Sequence, residues 1–357
     1  MPTFSKDKLE DICYRIFKAA GGTDKHSKTT GDHLVAANLA GHDSHGFLRV
    51  RSYVEQIEAK SLDPTAEPTI HNETSTTAQV NGQSTFGQVS AKFAIELATD
   101  KAKQSGISII TLHNAGHIGR VGTYPEIAAE AGMASIVCNG WMGNASRGGV
   151  APFGGSEGRL GTNPISMGFP SNFEGPILLD FATSMAAAGK IEVYKARGHK
   201  LPDKWIIDKN GNPSDIPEDF YDNGALLPIG GVNGGHKGYA LSVMVALFGG
   251  IMAAFPNIGE ARANQTQRNG GSSFIVIDIE RFSPLDQFKS LVSEFIGYLK
   301  DTPPMKGSMG ILYPGEMEQN NRRDRIANGI DIESATWEKV LAIIKQYKLE
   351  KDLAPLS

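Results

Sequence analysis

Residues 107–122 read Ile107-Ser108-Ile109-Ile110-Thr111-Leu112-His113-Asn114-Ala115-Gly116-His117-Ile118-Gly119-Arg120-Val121-Gly122. The first six are apolar or β-branched, follow Gly106 and run into a loop punctuated by glycine. That pattern predicts a short buried strand that empties into a site-forming loop. Working outward, a helix is expected over residues 89–103, stopping at Gly106. Another is expected over residues 124–131, stopping at Gly132 and leading into the apolar run 134–138. Strands at 165–169 and 177–179 and a helix over 185–197 continue the alternation. Strand and helix exchanging at this spacing mean helices covering a largely buried sheet, so the fold class is α/β.

Beyond a turn-rich segment containing Asp208-Lys209-Asn210-Gly211-Asn212, a helix is predicted over 239–255, followed by a strand over 274–279. Its uncharged run, 240–255, is shorter than the roughly 20 residues a bilayer requires and contains Gly249-Gly250, so it reads as a buried helix. The two ends of the chain are helical. Leu9, Ile12, Cys13, Ile16, Phe17 and Ala20 recur at three and four, between a Ser5 cap and Gly21-Gly22. Two further helices flank His45, carrying Leu34, Val35, Asn38 and Leu39 and then Leu48, Val50, Tyr53, Val54 and Ile57. The C-terminal part adds helices over 288–299 and 337–347. Residues 61–75, rich in Pro, Thr and charge, read as a linker. The expected division is a helical unit of residues 1–75 with 300–357, and an α/β unit of residues 76–299.

Composition bounds the function. The chain has 357 residues, 40% apolar and 21% charged, with a net charge of −4, which describes an ordinary globular protein of about two domains. A weak acidic balance offers no phosphate-neutralising face, so nucleic acid is not an expected partner. Only Cys13 and Cys138 are present, which argues for a reducing compartment without a disulfide frame. Charges at Lys6, Asp7, Lys8, Glu10, Asp11 and Arg15 break any signal-type apolar run, so a cytoplasmic protein with no membrane partner is expected.

Candidate chemistry lies at the ends of these elements. In His42-Asp43-Ser44-His45-Gly46-Phe47-Leu48-Arg49, His45 sits at a helix–helix junction and Arg49 follows it by four residues, so an imidazole and a guanidinium can face one space. The pairing suits a small carboxylic acid: the guanidinium grips the carboxylate while the imidazole exchanges a proton. The plainer reading is a capping histidine and a surface arginine. His113 and His117 at i,i+4 suggest a metal, but Gly116 weakens a helix there and no Glu completes a zinc motif. One functional histidine, His117, fits that loop better. Gly161-Thr162-Asn163-Pro164 closes a glycine-crowded stretch. Asp180-Phe181-Ala182-Thr183-Ser184 contains cap-type residues and is expected to open a helix, either as a seat for phosphate or as a plain cap. Gly230-Gly231-Val232-Asn233-Gly234-Gly235-His236-Lys237-Gly238 is a second phosphate cradle candidate. None of the 41 glycines has another two positions away, so no Rossmann fingerprint exists. Gly189-Lys190 is followed by Ile191, so it is no Walker A loop, and no G-x-S-x-G elbow occurs.

In order, Ser44-His45-Gly46 with Arg49, Gly87-Gln88, the 114–117 loop, Gly161-Thr162-Asn163-Pro164, Asp180-Phe181-Ala182-Thr183-Ser184, Gly189-Lys190, Lys237-Gly238 and Pro314-Gly315-Glu316 resemble the malate/L-lactate dehydrogenase family of non-Rossmann type. Its members include ureidoglycolate, sulfolactate and 2,3-diketogulonate enzymes and some cyclic-imine reductases. The resemblance spans nearly the whole chain. It implies a homodimer with the site near the subunit interface, and a helical domain drawn from both termini beside a mixed-sheet, non-Rossmann NAD(P)-binding domain. It implies a nicotinamide cofactor; NAD is expected, with NADP the alternative, and no metal is expected. Carried over by motif, His45 or His117 is the proton donor and acceptor, and Arg49 holds the substrate carboxylate with Ser44, Met142 and Thr162 nearby. Leu179, Asp180, Phe181, Ala182, His236, Lys237, Gly315 and Glu316 line the cofactor. The sequence departs from the family pattern at Phe181, at His236 and within Asn114-Ala115-Gly116-His117-Ile118. The expected reaction is reversible hydride transfer between nicotinamide C4 and C2 of a 2-hydroxy/2-oxo acid. The rivals are a cyclic-imine carboxylate reductase, a metal-dependent hydrolase using His42, His45, His113 and His117, and a non-catalytic paralogue.

Overall fold

The computed structural model describes residues 1–141, 149–253, 270–308 and 310–350. Its strands are β1 (Thr3–Phe4), β2 (Thr69–His71), β3 (Thr77–Asn81), β4 (Ile107–His113), β5 (Met133–Trp141), β6 (Pro164–Phe169), β7 (Ile177–Ala182), β8 (Ile206–Ile207), β9 (Pro213–Ser214), β10 (Ala225–Leu226), β11 (Gly270–Asp278) and β12 (Ile330–Asp331). Its helices are α1 (Lys6–Ala19), α2 (Asp24–Leu39), α3 (Val50–Glu58), α4 (Gly87–Ser105), α5 (Thr123–Glu130), α6 (Ala188–Ala196), α7 (Pro217–Tyr221), α8 (Gly231–Val245), α9 (Leu285–Lys300), α10 (Glu316–Asn328) and α11 (Ser334–Gln346).

The run that opened the sequence reading is β4, and it lies inside a seven-stranded sheet ordered β2-β3-β4-β11-β5-β6-β7. Ile110 and Leu112 point into a core shared with the small-residue stripe Ala91, Ala94, Ala98 and Ala102 of α4. Alanines at that spacing let α4 lie close on the sheet, and Gly106, at φ +86°, ends the helix in the left-handed region a side chain resists. β4 runs parallel to β3, but every other ladder of this sheet is antiparallel. β11 returns from far along the chain to lie between β4 and β5, pairing Ile275 with Ile109 and with Ile136. The sheet is therefore mixed and unlike a doubly wound nucleotide fold, as expected.

Both termini contribute to one helical core. β1 pairs with β12, and Phe4, Leu9, Ile12, Phe17, Leu34, Phe47 and Tyr53 pack with Ile330, Trp337, Val340 and Ile344. Ser5 caps α1 by accepting from the Lys8 backbone N–H, as the sequence predicted. A smaller three-stranded sheet, β10-β8-β9, shares a core with α6 and α7 through Ile191, Ile206, Phe220 and Leu226.

Three expectations are corrected. The segment read as a linker contains β2, whose residues are all exposed at the sheet edge and so carry no apolar pattern. The helix predicted as buried begins earlier, at Gly231, and continues through a π turn to Ala253 with only 39% of its most apolar stretch buried. One side packs closely on the sheet, where Gly249 lies against the backbone of Cys138 and Gly140; the other leaves Met244, Leu247, Phe248, Ile251 and Met252 exposed. By length and composition alone this helix is long enough to cross a bilayer. Finally, residues 180–182 end strand β7 rather than open a helix, and the next helix starts only at Ala188.

Candidate active site

The loop between α2 and α3 is built from two 3-10 turns, Asp43–His45 and Phe47–Arg49, with Gly46 between them. His45 and Arg49 are thus not on one continuous helix; the turns, not helical spacing, bring them together. Asn38 organises the loop, accepting from the Phe47 N–H at 2.7 Å and donating to Asp43 at 2.7 Å, while Arg325 of α10 grips both Asp43 oxygens. A Cβ at Gly46 would meet the Asn38 side chain at 2.2 Å, so no larger residue fits. Within this frame Ser44 Oγ lies 2.9 Å from His45 Nδ1, and Arg49 Nε donates to the Ser44 carbonyl at 2.7 Å. Arg49 pairs with no carboxylate among the described residues.

The loop after β4 delivers the second histidine. Gly116 and Gly87 pack backbone to backbone, which seats residues 116–119 against the start of α4. The rings of His45 and His117 stack at 5.4 Å between centroids and 22° between planes. Tyr53 Oη contacts His117 Nδ1 at 2.8 Å and accepts from the Gln88 side-chain amide at 2.7 Å. Burial, reinforced by Arg49, His42 and Arg120, pushes His45 down to about 3. Burial, Arg49, His45 and His33 hold His117 well below the usual histidine range. Both imidazoles are therefore neutral near pH 7, beside a guanidinium that pairs with no carboxylate among the described residues. His33 is also buried; its Nε2 accepts from the Arg120 backbone N–H at 3.0 Å, and burial pushes it down to about 3.

Ion pairs join this loop to β7. The buried Arg120 sits 3.0 Å from Glu126 and 3.4 Å from Asp180, and the Gly122 N–H donates to Asp180 at 2.9 Å. Burial raises the Asp180 carboxyl against the pull of Arg120. Thr183 and Ser184, read as helix caps, instead bind loop carbonyls: Thr183 Oγ1 donates to Asn163 and Thr162, and Ser184 Oγ to Ala186. Their cap-like chemistry serves tertiary bonds, so residues 180–184 present no helix N-terminus. The backbone of Thr183 is in turn bonded to Thr162 and Ile229, which sets the start of α8 beside the end of β7.

The predicted residues thus fall into two groups. Ser44, His45, Arg49 and His117 form one. Thr162, Leu179, Asp180, Phe181 and Ala182 form the other, with Gly315 joining them because the Leu178 N–H donates to the neighbouring Pro314 carbonyl along the open edge of β7. Asp180 and Arg120 link the two groups, and Gly189, at the start of α6, lies against Ser44. His236 and Lys237 are exposed in the first two turns of α8, with His236 against the Phe153 ring. Glu316 opens α10 with its carboxylate already engaged by Lys300 and the Tyr313 N–H. Met142 lies outside the described residues. Among the described residues no group of three or more His, Cys, Asp or Glu side chains is arranged to hold a metal. Sequence reading did not single out Tyr53, taken as a core position of its helix, or the buried Arg120; only the hydrophilic Gln88 at the start of α4 hinted at the first.

A guanidinium without an anion beside two neutral imidazoles defines a site whose chemistry suits a small carboxylic acid and the movement of a proton. The chain belongs to the malate/L-lactate dehydrogenase family, whose model matches residues 4–341. It is 36% identical to malate dehydrogenase of Pyrococcus horikoshii over 97% of this chain and 95% of that one. It is 34% identical to the malate/(S)-sulfolactate dehydrogenase of Methanothermus fervidus, covering 97% and 98% of the two chains. Among solved structures, malate dehydrogenase from Entamoeba histolytica superposes with a TM-score of 0.91 at 30% identity, covering 99% of each chain. Δ1-piperideine-2-carboxylate reductase from Pseudomonas syringae does so with a TM-score of 0.79 at 27% identity, over 96% of this chain and all of that one. The protein is therefore an enzyme of the dehydrogenase type acting on hydroxy acids.

Proposed function

We propose that this enzyme interconverts a small 2-oxo acid and its 2-hydroxy acid with a nicotinamide cofactor, NAD ahead of NADP. The observation that carries the reading is the stacked His45–His117 pair beside Arg49, whose guanidinium lacks a carboxylate partner among the described residues. Arg49 takes the substrate carboxylate in its fork, and Ser44 orients His45 from Nδ1, leaving Nε2 toward the reacting oxygen. The bound carboxylate offsets the positive field at the histidines, so one of them gains the proton it then hands to the carbonyl oxygen. In the oxidative direction the same imidazole removes the hydroxyl proton.

The residues present fit a dinucleotide. α6 and α8 both begin without a side-chain cap, although the Lys190 and Gly231 N–H groups already donate to the Ala187 and Pro228 carbonyls, and their N-termini would face a pyrophosphate or carboxylate with Gly189 and Lys237 on these helices. Gly315, at φ +95°, has no room for a Cβ against the Pro176 carbonyl. When bound, the reduced nicotinamide supplies the hydride. Because Asp180 and Glu316 already hold protein partners with their carboxylates, the β7 side of the cofactor site acts through backbone groups of Leu179, Asp180, Phe181 and Ala182, with His236 and Lys237 opposite.

The exposed apolar side of the Gly231–Ala253 helix is assigned to a second copy of the chain, giving a homodimer, which sedimentation in solution tests. The proposed setting is the cytoplasm.

The function is tested by following reduced-nicotinamide absorbance with purified protein, NADH or NADPH, and a panel of 2-oxo acids and cyclic imino acids. Turnover of a 2-oxo acid, lost by about 10²–10⁴-fold in His45→Ala or His117→Ala, supports the reading. Turnover only of a cyclic imine transfers the assignment to the reductase class of the piperideine-carboxylate neighbour. Cofactor binding without turnover of either class defeats it.

A further inference from the structure

The hydrogen-bond chain running from α4 through α3 into the loop after β4 has no role in the reading above. Gln88 and Tyr53 are both buried, yet each presents polar atoms inside a region otherwise filled by Phe17 and Phe86, whose rings pack on Tyr53 at 6.2 and 6.4 Å. A phenylalanine would fill the same space. The phenol oxygen accepts from Gln88 Nε2 at 2.7 Å and lies 2.8 Å from His117 Nδ1.

From this geometry we infer that Tyr53, held by Gln88, is a positioning residue that confines proton exchange at His117 to Nε2. The inference rests on the dehydrogenase reading for its catalytic consequence, but not for the hydrogen bond itself. A hydroxyl both donates and accepts. Toward a bare Nδ1 it donates its hydrogen; toward Nδ1–H it accepts. Nδ1 is thus occupied in the neutral and in the protonated ring alike. In reduction the Nε2–H bond of the imidazolium breaks, its proton joins the carbonyl oxygen as hydride arrives at C2, and Nδ1–H stays with the phenol. In oxidation the Nε2 lone pair takes the hydroxyl proton and the phenol again keeps Nδ1–H. Gln88 fixes the phenol's direction, so the imidazole keeps its 22° inclination to the ring of His45.

The arrangement parallels Ser44 at His45 Nδ1. The difference is burial: Ser44 sits in an accessible loop, whereas the Tyr53–Gln88 pair is sealed and cannot be replaced by water.

The test uses the full chain, ¹⁵N-labelled, without substrate or cofactor, with His117→Gln to assign the resonances. Tyr53→Phe keeps the ring and removes the oxygen. Expected are moved ring-nitrogen shifts of His117 and a changed tautomer ratio, while the His33 resonances stay in place. In turnover of the 2-oxo acid, kcat falls about tenfold, KM for the acid changes less than about twofold, and the pH profile of kcat moves. Gln88→Leu gives the same signs at smaller size. A merely structural role would lower thermal stability without moving the His117 shifts or the pH profile. Unmoved His117 shifts in Tyr53→Phe overturn the positioning, and moved shifts with an unchanged kcat profile overturn its part in catalysis. Wild-type protein that turns over no 2-oxo acid defeats the dehydrogenase reading, while the shifts still decide the hydrogen bond.

Discussion

Substrate binding should load a histidine with a proton. In the free enzyme His45 is pushed down to about 3, chiefly by burial and then by Arg49, His42 and Arg120, and His117 is lowered for similar reasons. At pH 7 an imidazole with that value is charged in about one molecule in 10⁴. A carboxylate bound on Arg49 and brought within about 4 Å of the ring contributes roughly 4 kcal/mol at an effective dielectric constant of about 20, close to a thousandfold in proton affinity. That moves the titration from about 3 to just below neutrality. Binding of oxamate, a 2-oxo acid isostere, to enzyme saturated with reduced cofactor should therefore take up a substantial fraction of a proton at pH 6 and little at pH 8. Calorimetric titrations in buffers of different ionisation enthalpy measure this directly. His45→Gln and His117→Gln identify the ring, since only the loss of the loaded histidine abolishes uptake. No uptake at either pH, or release of a proton, would refute the electrostatic reasoning.

Arg49→Lys keeps the charge but loses the fork, so KM for the oxo acid should rise tenfold or more while the cofactor Kd stays near wild type in fluorescence titrations. Gly46→Ala, whose Cβ would meet Asn38 at 2.2 Å, should cost about 1–3 kcal/mol in urea unfolding and lower kcat by displacing His45. His33, lowered to about 3 by burial, binds protons more weakly folded than unfolded, so it removes stability as pH falls below about 6.5, by roughly 1.4 kcal/mol per pH unit. His33→Gln can still accept from Arg120 and should flatten the acid side of the stability profile, read as urea midpoints between pH 7 and 4.5. Asp180→Asn keeps an oxygen for the Gly122 N–H while Glu126 still pairs Arg120, so about 1–3 kcal/mol of stability should be lost with little change in dinucleotide Kd. A large change in Kd with unchanged stability would place its carboxylate on the cofactor instead.

The sequence disclosed what depends on local pattern. Ile107 to Leu112 reads as a strand because Ser108, Ile110, Thr111 and Leu112 are buried in the sheet, and the helices around it carry their own stop signals at Gly106 and Gly132. What it did not disclose depends on partners distant in the chain. β11 enters between β4 and β5 with its apolar run 274–277 paired to both neighbours, and nothing local specifies that choice. β2 has no apolar face to recognise. Thr183 and Ser184 carry the same hydroxyl chemistry whether they cap a helix or hold the Asn163 loop, so composition alone placed a helix start too early. His45 and Arg49 were paired by helical spacing, although two 3-10 turns rather than a helix produce their proximity. Tyr53 stayed hidden because a buried aromatic on a helix face looks the same with or without a polar partner at its tip.

The distribution of charge would, on the proposed reading, let recognition and proton transfer share one place. Arg120 is buried but its guanidinium is matched by Glu126 and Asp180. His42 is matched by Glu318, and Asp43 by Arg325. Arg49, unlike Arg120 and Arg325, faces the histidine pair without a carboxylate of the described residues to balance it. A fold that matched Arg49 internally would keep the imidazoles easier to protonate in the empty enzyme but would leave nothing to hold the substrate. On the proposed reading, leaving it unmatched would make the substrate carboxylate the missing charge. The same event that binds the acid would then change the histidine from neutral to proton-bearing, and an uncharged ketone, which brings no anion to Arg49, would leave the proposed acid catalyst unloaded.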